Sequence, residues 1–93
     1  MRLLDAIREV ANCPDDLIIY VLPPWSPEAD AVFMVADGNE AEPVQFHGQQ
    51  YHYFLETFIA RDFMEDYAAT VEGAAATESE RCERLIRYAR DDA

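Results

Sequence analysis

The chain contains no lysine, so its positive charge rests on seven arginines set against nineteen acids, a formal net charge of −12 over 93 residues. A high-GC codon bias is enough to give such an absence, which by itself carries no mechanism. The shortage of positive charge means more, because a field of this sign repels nucleic acid and anionic lipid and draws basic partners inward. Direct nucleic-acid binding is opposed by the charge and is not expected. No apolar run approaches the roughly 18 residues of a membrane-crossing helix, and the first residues do not form a signal peptide. Three isolated glycines leave no Gly-rich loop to cradle a phosphate. The two cysteines, Cys13 and Cys82, lie far apart. Without a secretory context they are expected as buried, reduced thiols, and the compartment as cytoplasmic.

What the chain does have is apolar content of 51%, enough for a real core in one domain spanning residues 1–93. Its charge is uneven. Residues 1–80 carry sixteen acids and three arginines, whereas residues 81–93 carry three acids and four arginines. The stretch from Glu9 to Glu56 holds nine acids and no Arg or Lys.

Leu3, Leu4, Ile7, Val10 and Ala11 recur at helical spacing until Pro14 stops them, which predicts a first helix over 2–11. Pro14-Asp15-Asp16 forms a turn before the β-branched run 17–22, a buried strand. Pro23, Pro24 and Pro27 frame an extended loop around Trp25. A second strand is predicted over 31–36, with Asp37-Gly38-Asn39 as a turn and 37–49 as an exposed acidic loop. Residues 50–55 alternate as a third strand, with Tyr51, Tyr53 and Leu55 on one face and His52, Phe54 and Glu56 on the other. Thr57 is the candidate N-cap of a helix whose apolar arc is Ile59, Phe63, Met64, Tyr67 and Val71, ended by Gly73 and the alanines after it. Asp62, Glu65 and Asp66 occupy its opposite arc. Thr77-Glu78-Ser79-Glu80 has the form of a capping box. It opens a last helix with Cys82, Leu85, Ile86 and Ala89 as core stripe and Glu80–Arg84 and Glu83–Arg87 as i,i+4 pairs. The expected fold is α+β, order αβββαα, a three-stranded, mainly antiparallel sheet with three helices.

Chemical constellations are sparse. Cys13, His47, His52 and Cys82 lack the close paired spacings of zinc ligands, so no metal or other cofactor is expected. Cys82, on a core stripe, suits a small buried hydrophobe better than a nucleophile. Asp15 and Asp16 are adjacent and point apart, which fits a turn better than a carboxylate pair, and a domain this small rarely has the cleft that glycoside chemistry needs. No catalytic residue emerges, and a non-enzymatic role is expected. Trp25, flanked by Glu28 and Asp30, reads either as a rigid anchor ringed by acids or as a lid folded onto the core.

Pro14-Asp15-Asp16, Ile19-Tyr20, Pro24-Trp25 and the closing 88–93 together make the chain resemble an uncharacterised family of small acidic bacterial proteins, for which an immunity-type role is the expectation. The resemblance covers most of the chain and implies a short helix, a Pro-Asp-Asp turn, a Tyr-bearing strand, a Trp loop, an acidic middle and a terminal helix. It implies no catalytic residue. The chain departs from the family where Asp37, Glu40 and Glu42 are scattered rather than packed in a dense acidic run.

The function expected from charge is that of an inhibitor or immunity-type protein that occupies the basic surface of a nucleic-acid-handling partner, such as a nuclease toxin or a bacterial defence complex. Its candidate contacts are Asp15, Asp16, Trp25, Glu28, Asp30, Asp37, Glu40 and Glu42, in segments read as loops and turns. Asp62 and Asp66, about 6 Å apart along a helix axis, are spaced comparably to successive phosphates on one strand. The alternatives are a structural or regulatory accessory domain, with a homodimer as one form of it, and a small metal-dependent binder or enzyme built on His47, His52 and carboxylates.

Overall fold

Pro14 cannot continue a helix, and the chain turns there. In a computed structural model, which describes residues 1–36 and 43–92, helix α1 (Leu3–Glu9) tightens into a 3-10 turn (Val10–Asn12). Strands β1 (Leu17–Val21) and β2 (Ala31–Val35) follow, then β3 (Val44–Phe46), β4 (Gln49–Glu56), and helices α2 (Thr57–Ala68), α3 (Val71–Ala75) and α4 (Glu78–Asp92). The Pro23–Pro24 bond between β1 and β2 is cis. The class is α+β with an antiparallel sheet, but the described residues form four strands in the order β2-β1-β4-β3 and four α-helices, not three of each.

The extra strand is β3, inside what reads as an acidic loop. It pairs with β4 through Val44↔Tyr51 and Phe46↔Gln49. The two-residue turn His47-Gly48 has φ of 52° and 76°, the doubly left-handed geometry whose twist suits a tight hairpin. The Asp37-Gly38-Asn39 turn expected before it lies outside the described residues.

A bulge in β4 corrects the expected alternation. The register runs Ile19↔Leu55 and then Tyr20↔Tyr53, so Phe54 has no partner across the strand. Phe54 and Leu55 therefore both join the helix-side core, while Tyr51 and Tyr53 lie in the cluster on the other face with Ile18 and Tyr20. The helix-side core gathers Leu3, Ala6 and Ile7 from α1, Val10 from the 3-10 turn, Ile19 and Val21 from β1, and Cys82, Leu85, Ile86 and Ala89 from α4. At about 1.5–3 kcal/mol for each fully buried large aliphatic side chain, this stripe anchors α4.

Four further expectations shift in the helices. Thr57 is not the N-cap: Glu56 precedes the helix, and Thr57 is its first residue. The Thr57 hydroxyl faces inward instead, within 3.0 Å of the Pro14 carbonyl oxygen and 3.1 Å of that of Leu17. Helix α2 stops at Ala68, so Val71 falls outside the apolar arc and is 91% exposed. Gly73 does not end α2 but sits buried in α3, where a Cβ would lie 1.8 Å from the Tyr67 carbonyl oxygen. No side chain fits where the two helices turn against each other. The capping box is present, with the Thr77 N–H 2.7 Å from Glu80 Oε1 and the Glu80 N–H 3.1 Å from Thr77 Oγ1. Glu80 is thereby taken by the cap, and Arg84 lies over the Phe63 ring at 5.7 Å instead of closing the predicted pair.

Among the described residues no helix is long and apolar enough to cross a membrane.

Candidate functional site

The acids of the arginine-free stretch do not converge. Asp15 and Asp16 precede β1, whereas Trp25, Glu28 and Asp30 follow it, so the strand holds the two groups about 20 Å apart at about 3.3 Å per residue. Asp37, Glu40 and Glu42 lie outside the described residues.

Three of the placed acids, Asp15, Glu28 and Asp30, are also neutralised from elsewhere in the chain. Arg2 reaches Glu28 at 3.3 Å and Asp5 at 3.1 Å. Arg61 bonds Asp15. The Met1 amino group lies 3.1 Å from Asp30 Oδ1, and the Tyr51 hydroxyl donates to the other oxygen of the same carboxylate. That hydroxyl holds the Asp30 carboxyl below the usual carboxylate range, and the Arg2 guanidinium does the same for Asp5. Arg8 is shared between Asp5 and Glu78. Asp15, Glu28 and Asp30 have no cation nearby in sequence, and the fold supplies one to each.

Trp25 packs as a lid. Its ring meets Phe54 edge-on at 5.1 Å between centroids, and its indole N–H points to the Val21 carbonyl oxygen at 3.4 Å. The ring remains half-buried. The shallow groove beside it, about 280 Å³, is lined by Pro27, Glu83, Ile86, Arg87 and Arg90, so guanidiniums rather than a ring of carboxylates border it.

Three exposed acids that close no ion pair among the described residues stand together on α2. Phe58, Asp62, Glu65, Asp66 and Ala69 recur at i, i+4, i+7, i+8 and i+11, which makes one stripe, and all five are exposed. Only one cation belongs to this helix. Arg61 turns away from the stripe, with Nη1 3.4 Å from both the Val10 and Cys13 carbonyl oxygens and Nη2 on Asp15. It therefore fastens α2 to the 3-10 turn and to the entry of β1. What remains outward is three carboxylates beside a phenyl ring 39% exposed. The amphipathic pattern points to Asp62, Glu65 and Asp66, but that the loop acids would be spent on Arg2 and Arg61 is not visible in it.

The cysteines differ from each other. Both are free thiols; Cys82 is buried in the core, and Cys13 is only half-buried. Burial pushes the Cys82 thiol up to about 12 and raises that of Cys13, which disfavours the nucleophilic thiolate at both. No family model, curated protein or solved structure matches the chain.

Proposed function

We propose that this is a non-enzymatic acidic binding protein that docks the outward face of α2 on the basic surface of a nucleic-acid-handling protein. The reading is supported chiefly by one observation: the Phe58, Asp62, Glu65 and Asp66 stripe faces outward and its only helix-borne cation, Arg61, is committed elsewhere. Rows of carboxylates steer association with a positive patch and compete with nucleic acid for it. Phe58 supplies an apolar contact of the kind that slows dissociation once the charges have met. The loop acids first expected as contacts are secondary here, since Asp15, Glu28 and Asp30 already have partners within the chain.

A non-specific endonuclease with a basic surface is the probe. The protein should slow DNA cleavage by it, more strongly at low salt than at physiological ionic strength, where charges are screened over about 8 Å. Replacing Asp62, Glu65 and Asp66 by Asn, Gln and Asn should lower the association rate about tenfold or more, with folding unchanged. Replacing Glu28 and Asp30 by Gln and Asn should do less. Protection that is indifferent to salt, or that is lost with the loop pair and kept with the helix triple, would sink the reading.

A further inference from the structure

The hydrogen bonds of the sheet leave one edge half-filled. In β2 the even residues face β1: the Leu22 N–H reaches the Asp30 carbonyl oxygen at 2.9 Å, and the Ala36 N–H reaches that of Asp16 at 2.8 Å. The odd residues face outward, because an antiparallel strand alternates the direction of its backbone groups. Ala31 is satisfied on that side, its N–H 2.7 Å from the Met1 carbonyl oxygen and its own carbonyl oxygen 3.3 Å from the Met1 amino nitrogen. Beyond Ala31, the outward N–H and C=O groups of Phe33 and Val35 meet no other element among the described residues.

The segment Met1–Leu3 shows that this edge accepts a strand. It is bridged antiparallel to the residue just before β2 at Arg2↔Asp30, and the Leu3 N–H lies 2.8 Å from the Ala29 carbonyl oxygen. Edge strands usually resist further pairing through lysine, proline, a bulge or short length. The opposite edge, β3, is three residues long. Ala31–Val35 has no charge, no proline and an unbroken register with β1, and it exposes Val35 at 63% and Met34 at 36%.

We propose that the β2 edge is a self-association surface on which a second copy of this chain pairs β2 with β2 about a two-fold axis. The vacancy is self-complementary. Placing Phe33 opposite Val35 of the partner subunit satisfies the outward groups of both residues in both copies with four hydrogen bonds. Met34 then faces its own counterpart on the axis. Met1 closes the edge at Ala31, so the incoming strand stops near the point where β2 itself ends. A second copy is favoured over a basic partner because this edge carries no charge, whereas basic surfaces are drawn to α2. Pairing this short buries less than the roughly 1,200 Å² of a stable interface. The dimer is therefore weak, with a Kd of about 0.1–1 mM, and it forms against the mutual repulsion of two chains of charge −12.

Salt distinguishes this contact from the α2 docking, on which it does not depend. Sedimentation equilibrium up to about 1 mM should show the mass rising from one chain towards two. The rise should be larger in about 1 M salt, where screening shortens to about 3 Å. Amide exchange of Phe33 and Val35 should slow as concentration rises, while that of Val32 and Met34 is slow throughout. Val35→Pro removes an outward N–H that no internal bond uses, and Met34→Glu sets like charges opposite each other. Both should remain monomeric, and circular dichroism like that of the parent shows that they fold. A one-chain mass at about 1 mM in about 1 M salt overturns the proposal. So does a dimer that both variants retain, or one that salt dissolves.

Discussion

Thr57→Val tests how α2, and with it the acidic stripe, is held on the sheet. Thr57 is fully buried, and its hydroxyl lies within 3.1 Å of two backbone oxygens, those of Pro14 and Leu17, across the start of β1. Valine keeps the shape and removes the donor. The Pro14 oxygen still receives the Leu17 N–H at 3.3 Å, so the loss falls mainly on the Leu17 oxygen. A typical hydrogen bond contributes about 0.5–1.5 kcal/mol, and a buried acceptor left without its donor costs about 1–3 kcal/mol. The expected destabilisation is therefore about 1–3 kcal/mol. Thr57→Ser keeps the donor and removes one buried methyl, at about 0.8 kcal/mol for the transfer alone. Urea unfolding followed by the emission of Trp25, the single tryptophan, reads both variants through a ring that leaves Phe54 when the core opens. For a chain of this size each kcal/mol lowers Tm by roughly 4–8 °C. The reasoning fails if Thr57→Val lies within about 0.5 kcal/mol of the parent, or if it is more stable than Thr57→Ser.

Acid should weaken the fold through Asp5, Asp30 and Glu80, whose carboxyls are held below their usual range by Arg2, by the Tyr51 hydroxyl and by the Thr77 N–H. Groups with depressed folded-state values contribute their stability above the unfolded value of about 4 and lose it as pH falls through the folded one. Midpoints of urea unfolding should thus drop below about pH 4, and Asp5→Asn or Asp30→Asn should flatten that limb; an unchanged slope in both would refute the assignment. In the native protein, Cys13 should react with an alkylating agent before Cys82, and a reducing agent should leave Tm unchanged. Equal labelling of both thiols, read by mass spectrometry, would mean that the α4 stripe opens far more readily than its burial implies.

Much of the fold was legible because its signals are local. Pro14 ends α1, the β-branched run 17–21 makes β1, and the stripe Cys82, Leu85, Ile86 and Ala89 predicts the buried face of α4. The capping box at Thr77 and Glu80 closes as its spacing requires. Strand β3 was missed because three residues, Val44-Gln45-Phe46, are too few for a period to register. Its one signal was the alternation before His47-Gly48, a turn less familiar than Asn-Gly. The bulge at Phe54 was hidden for another reason. Strict alternation is the default of an isolated strand, and only the facing residues Ile19 and Tyr20 set the register that breaks it.

The candidate site was less legible than the fold, since its chemistry depends on which charges meet. The sequence by itself determined the sign and size of the field, the acids of α2 and the lack of charge in Ala31–Val35. The tertiary structure decided which acids are spent, by bringing Arg2 to Glu28 and Arg61 to Asp15 across 26 and 46 positions of chain. It also decided that Trp25 caps the core beside two arginines, and that the edge of β2 is filled at Ala31 but open at Phe33 and Val35. The physical reason is the same in each case. Helical and strand periods are set by neighbours a few residues away, whereas an ion pair or a strand edge is set by whichever distant segment the fold places within a few ångströms.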